Sequence, residues 1–173
     1  MGKFLIPLGV FLALSVFFAV GLTRDPSYIP TPLQTLPAFT LQTLDEPPQT
    51  VTEQDIIGKP ALLNVWGSWC ANCGVEHDFL MRLARSGGPI YGLNWSDQRP
   101  AARRRLARLG DPYVASAFDE EGRVAIDLGG YGAPEPVLID PQGYFVHKHI
   151  GPLTPQIWER DFVPLLDAMR GSS

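Results

Sequence analysis

The 173-residue chain holds two cysteines, and they stand three apart in Cys70-Ala71-Asn72-Cys73. A pair this close can form a static disulfide, bind a soft metal, or exchange disulfides with another molecule. A static bond contributes little, because closing so short a loop removes little chain entropy. For metal binding, Cys70, Cys73 and His77 form C-x2-C-x3-H, a ligand set suited to an extracytoplasmic copper-binding protein, but no fourth ligand is evident. Covalent haem attachment is disfavoured because Gly74, not histidine, follows the second cysteine. Exchange requires a helix to begin at the pair. Val75, Phe79, Leu80 and Leu83 supply an apolar face that predicts one over residues 72–84. Free backbone amides and the positive end of the helix dipole then stabilise a Cys70 thiolate, the expected nucleophile. Cys73 is close enough to attack the resulting mixed disulfide and release the partner.

The elements that position this helix start follow from apolar runs and turn residues. Ala61-Leu62-Leu63-Asn64-Val65-Trp66 reads as a buried central strand ended by Gly67. Residues 39–44 and 50–51 read as an extended pair around Asp45-Glu46-Pro47-Pro48. A second strand is expected over 89–94 and a helix over 99–109, with Pro100 in its first turn. A helical turn over 124–128 precedes two antiparallel strands, 136–140 and 144–150. The last helix runs from the N-cap Thr154 to about Met169, kinked at Pro164. The economical architecture is α/β, one central mixed β-sheet flanked by helices on both sides.

Composition narrows the partners. With 45% apolar and 18% charged residues the chain is globular, and a net charge of -4 argues against nucleic-acid binding through phosphate neutralisation. Phe4 to Leu22 carries no charge and reaches roughly 28 Å as a helix, so residues 1–23 are expected to form a cytoplasmic stub and a transmembrane anchor in contact with the lipid bilayer, the alternative being a signal peptide cleaved near Ala19-Val20-Gly21. Residues 24–37, with Pro26, Pro30, Pro32 and Pro37, read as a stiff proline-rich linker, 38–170 as the folded domain and 171–173 as a tail. That order predicts a single-pass protein whose C-terminal domain lies outside the cytoplasm, where a close cysteine pair is redox-cycled.

Trp66-Gly67-Ser68-Trp69-Cys70-Ala71-Asn72-Cys73 resembles the W-x-x-W-C-x-x-C site of thioredoxin-fold proteins, and Gly132-Ala133-Pro134 their cis-proline loop. Gly21 to Pro26, Glu76-His77, Gly130 to Glu135 and Pro155 to Trp158 resemble, in combination, the CcmG/DsbE family of membrane-anchored thiol:disulfide interchange proteins of cytochrome c maturation. A TlpA- or ResA-type reductase is the nearest redox alternative. The CcmG/DsbE resemblance implies a thioredoxin-like fold and residence in the bacterial inner membrane with the domain in the periplasm. It also implies reduction of apocytochrome c haem-binding cysteines, directly or through a maturation thiol protein, with electrons from a DsbD-like membrane donor. No cofactor beyond the Cys70-Cys73 pair is implied. Ala133 and a cis Pro134 are expected to receive an extended substrate strand, and Trp69 to line the groove.

Glu76 lies three residues after Cys73, and the resemblance brings Glu135 to the disulfide beside Pro134. Two carboxylates near a thiol disfavour its thiolate, which makes the reduced pair a better electron donor and the expected direction reducing. Asn64 stands where generic thioredoxins carry a buried aspartate, so Glu76 or Glu135 is expected to take the proton of Cys73 instead. The arginines of residues 103–108 and the pair His147 and His149 read as solvated faces.

Overall fold

In the computed structural model, residues 5–22 and 34–171 are described. Helix α1 (Leu5–Leu22) comes first, then a short antiparallel pair, β1 (Thr40–Gln42) and β2 (Thr50–Thr52). The main body follows as β3 (Ala61–Trp66), α2 (Asn72–Arg85), β4 (Ile90–Trp95), α3 (Arg99–Leu109), β5 (Ala115–Asp119), α4 (Arg123–Asp127), β6 (Glu135–Ile139) and β7 (Phe145–Lys148). The C-terminal stretch is α5 (Pro155–Ile157), a π turn (Trp158–Phe162) and α6 (Val163–Gly171).

Five strands form one sheet in the order β5-β4-β3-β6-β7. β3 pairs parallel with β4 and β4 with β5, whereas β6 runs antiparallel to both β3 and β7. Alternation along β3 serves both faces. Leu63 and Val65 pack with Phe39, Val51, Ile56, Val124 and Leu128 on one side. On the other, Leu62 meets Leu80 of α2 together with Leu138, Leu153 and Phe162. Ala102 and Leu106 of α3 close a third cluster with Trp66, Phe118 and the two cysteines. The fold is thus the expected thioredoxin-like arrangement of a mixed sheet flanked by helices.

Several expectations change. β5 was not anticipated, because Ala115-Ser116-Ala117 has weak strand propensity; its pairing with β4 decides its conformation. The kink expected at Pro164 takes the form of the π turn, closed by Val163 N donating to Trp158 O just before the residue that lacks an amide hydrogen. His149 is buried and His147 packs edge-on against Phe162 at 4.8 Å, so these histidines are not on a solvated face.

The membrane placement also requires correction. α1 has 18 residues, about 27 Å of helix, against the roughly 20 residues that a bilayer core takes. Among the described residues no helix is long and apolar enough to cross a membrane. The single-pass inner-membrane location, with its bilayer contact, is therefore not supported. The proline-rich segment with Pro26, Pro30 and Pro32 lies outside the described residues, as do residues 1–4 and 172–173. Its end packs on the domain, where Leu36 is buried and its amide donates to Gly143 O at 2.8 Å.

Candidate active site

Gly67 ends β3, and the chain turns through Ser68 and Trp69 into the first turn of α2. Asp97 fixes this turn, accepting from Ser68 N (2.5 Å) and Ser68 Oγ (2.6 Å) and from Asn94 Nδ2 (2.9 Å). Cys70 and Cys73 are joined as a disulfide with their Cα atoms 5.4 Å apart, and both are 4% exposed. Cys73 N donates to Cys70 Sγ at 3.0 Å, so a helix-start amide already points at the first sulfur. Trp69 is exposed and donates its indole N–H to Trp95 O, whereas Trp66 is buried against Tyr113.

The loop before β6 crosses the pair. The Ala133–Pro134 bond is cis, and Ala133 O lies 3.3 Å from Cys70 Sγ. Glu135 anchors this loop rather than facing the sulfurs as a free charge. Its Oε1 accepts from Tyr131 N (2.7 Å) and Gly132 N (3.0 Å), and its Oε2 stands 2.8 Å from Lys148 Nζ. Lys148 also donates to Gly129 O at 2.7 Å. Gly130 is needed here, because a Cβ would come within 2.5 Å of Ala125 O. The Gly151-Pro152-Leu153 turn completes the frame: Gly151, at φ +114°, donates to Pro134 O at 2.9 Å.

Glu76 is 1% exposed and lies three residues beyond Cys73, on the same side of α2. Its Oε1 accepts from Asn64 Nδ2 (2.9 Å) and its Oε2 from Leu153 N (2.8 Å). Burial pushes the carboxyl up to about 7, against the opposing pull of those two donors and the Arg105 charge. A carboxyl tuned to neutrality beside a cysteine helix is suited to moving a proton. Tyr113, whose hydroxyl accepts from Asn64 Nδ2 at 3.2 Å, is pushed well up by burial and stays neutral.

The Redoxin family pattern matches residues 32–163. Over 170 residues the chain is 45% identical to the thiol:disulfide interchange protein DsbE of Allochromatium vinosum, covering 96% of this chain and 94% of the relative. The chain belongs to the CcmG/DsbE family. Identity to the DsbE of Pseudomonas aeruginosa is 47% over 163 residues, covering 93% of this chain and 91% of the relative. A secreted thiol-disulfide isomerase from Corynebacterium glutamicum superposes with a TM-score of 0.68 at 27% identity, over 82% of this chain and 90% of that one. A DsbE-named structure from Chlorobium tepidum shares the fold, with a TM-score of 0.69 at 24% identity over 80% of this chain and 98% of that one. This DsbE-family protein is a thiol-disulfide oxidoreductase.

The site of the DsbE-family chain contains groups that its sequence did not reveal. Arg105 was read as surface. Its Nη1 instead donates to Cys70 O (3.3 Å) and Ser68 O (3.4 Å), and its charge acts on Glu76. An arginine on α3 has no local signal for a contact 35 residues back; only the packing of α3 on the active-site turn brings them together. Leu153 N and Lys148 were missed for the same reason. His77 does not join the sulfurs: its Nε2 faces Leu109 O at 3.2 Å, and among the described residues no group of three or more His, Cys, Asp and Glu is placed to hold a metal.

The Glu135–Lys148 pair gives a stability prediction. Glu135→Ala removes the acceptor of two loop amides and leaves Lys148, 15% exposed, without its counter-charge. Urea unfolding should show a loss of about 3 kcal/mol. A loss under about 1 kcal/mol would mean that Glu135 does not hold the loop.

Proposed function

We propose that this thiol-disulfide oxidoreductase works as a reductant of apocytochrome c haem-binding cysteines, or of a maturation thiol protein that serves them, and is recharged by a DsbD-like thiol donor. Cys70 is the nucleophile. Its thiolate attacks one sulfur of the substrate disulfide, whose S–S bond breaks, and the other substrate sulfur leaves as a thiolate. Cys73, giving its proton to the Glu76 carboxylate, then attacks Cys70 Sγ and expels the second substrate thiolate. Two electrons pass from the cysteine pair to the substrate, and two protons complete its thiols. Trp69 and the edge made by Ala133 and Pro134 form the groove in which an extended substrate lies. Residues 38–170 act as the catalytic unit.

The observation that carries the reducing direction is the buried Glu76, which makes no ion pair among the described residues and stands on the cysteine side of α2. Negative charge there disfavours the thiolates of the reduced pair and leaves it ready to give up electrons. The expected contribution of Glu135 is offset by its pair with Lys148, which supports assigning the electrostatic effect to Glu76. The test uses Cys73→Ser, which cannot resolve a mixed disulfide. Incubated with oxidised apocytochrome c, the reduced variant should accumulate a covalent one-to-one adduct that dithiothreitol releases. Absence of an adduct with both apocytochrome c and its maturation thiol protein would contradict the assigned substrate.

A further inference from the structure

We propose that the groove between the active-site turn and α3 receives an acidic segment of the polypeptide whose sulfur meets Cys70. The groove has a volume of about 490 Å³ and is lined by Ser68, Ala101, Arg104, Arg105 and Arg108. Ser68 is two residues before Cys70, and Arg105 of the groove wall donates to the Cys70 carbonyl at 3.3 Å, so a strand whose sulfur meets Cys70 has residues about three positions away, at roughly 3.3 Å each, within reach of the groove. α3 carries Arg99, Arg103, Arg104, Arg105 and Arg108 and no acidic residue, in a chain whose net charge is -4.

Three of these arginines are committed within the fold. Arg99 donates to Thr43 O and lies over the Phe118 ring at 4.4 Å, Arg103 pairs with Glu46, and Arg105 holds the carbonyls of Ser68 and Cys70. Arg104 and Arg108 are exposed and make no hydrogen bond or ion pair among the described residues. Two unpaired guanidinium groups on one wall of a concave surface, next to a nucleophile, match carboxylates and repel basic segments. A polypeptide partner is favoured over a lipid surface because the groove is walled by Ser68 and by Arg105, which donates to the Cys70 carbonyl, so it adjoins the turn that carries the sulfur another chain must meet.

The proposal rests on Cys70 as the attacking sulfur. Its test uses the reduced full-length protein and two peptides, each closed by one disulfide, that differ only in three flanking residues, acidic in one and neutral in the other. The acidic peptide should be reduced about tenfold faster at an ionic strength of about 0.01 M, and less than about twofold faster near 1 M. Arg104→Glu with Arg108→Glu should bring the ratio of acidic to neutral rates below one. The salt series on the unmodified protein stands independently of how that variant folds. Equal rates at low salt overturn the proposal, as does a ratio that the double variant leaves unchanged. Equal rates combined with arginine-dependent sedimentation on phosphatidylserine vesicles would assign the face to lipid and equally overturn it. Reduction of both peptides by Cys70→Ser would overturn the nucleophile assignment itself, and the proposal with it.

Discussion

Cys70→Ser is expected to abolish disulfide reduction, with a fall of at least about 10³-fold in rate, because a serine hydroxyl neither ionises near neutral pH nor forms a disulfide. The two sulfurs differ in surroundings rather than in exposure. Cys70 precedes the first residue of α2, accepts the Cys73 amide at 3.0 Å and lies 3.3 Å from Ala133 O at the edge assigned to the substrate. Arg105 adds positive charge at the Cys70 carbonyl. The helix start, the Cys73 amide and the Arg105 charge favour a thiolate at Cys70 over one at Cys73, which lies inside the helix beside a carboxyl, whereas Ala133 O is an acceptor and marks only the substrate edge. The variant should also form no mixed disulfide, unlike Cys73→Ser. Stopped-flow kinetics with a disulfide peptide measures this directly. Retention of more than about a tenth of the rate would make Cys73 the attacking sulfur.

Glu76→Gln should change both the pH dependence of stability and that of exchange. The native carboxyl titrates at about 7 against an ordinary 4.5, so between these values the folded state binds more protons than the unfolded state. Stability from this group is therefore full below about 4.5 and is lost as pH rises through 7, by about 3 kcal/mol in all. Glutamine removes that slope. Asn64 Oδ1 is buried and has no partner among the described residues, so a flip of its amide lets it accept from the new side chain, and the variant should be the more stable protein at pH 8. Exchange should move the other way. Without a carboxylate to take the Cys73 proton, the rising limb of the rate near pH 7 should disappear and the rate at pH 8 should fall about 10²-fold. Denaturation and stopped-flow series from pH 5 to 8 report the two effects. A variant that shifts stability but keeps the limb would reduce Glu76 to a packing role.

The parts of this site that could be read from the chain are those in which local chemistry and long-range structure agree. Ala61 to Trp66 is apolar apart from Asn64 and lies at the sheet centre, and the helix begins at the cysteine pair as expected, although Val75, assigned to its apolar face, is exposed and Cys73, Glu76, His77 and Leu80 form the buried side. The proline loop was recognisable from Gly132-Ala133-Pro134 as a motif. What could not be read are contacts between distant segments. Nothing around Glu135 in the sequence reveals that Lys148 meets it from β7, and nothing around Leu153 reveals that its amide holds Glu76. Solvation misled in the same way. Arg105, His147 and His149 are polar residues on elements that read as surface, yet packing turns each of them inward. α1 shows the reverse error, in which an apolar stretch was taken to be long enough to span a bilayer.

The reducing direction is tested most directly by the equilibrium potential of the Cys70-Cys73 pair, measured against glutathione or thioredoxin. A buried carboxyl on the cysteine side of α2, with no ion pair among the described residues, predicts a value below about -200 mV, toward the thioredoxin end of the range. A value near about -120 mV, that of a strong oxidant whose reduced form is stabilised, would contradict the assigned direction.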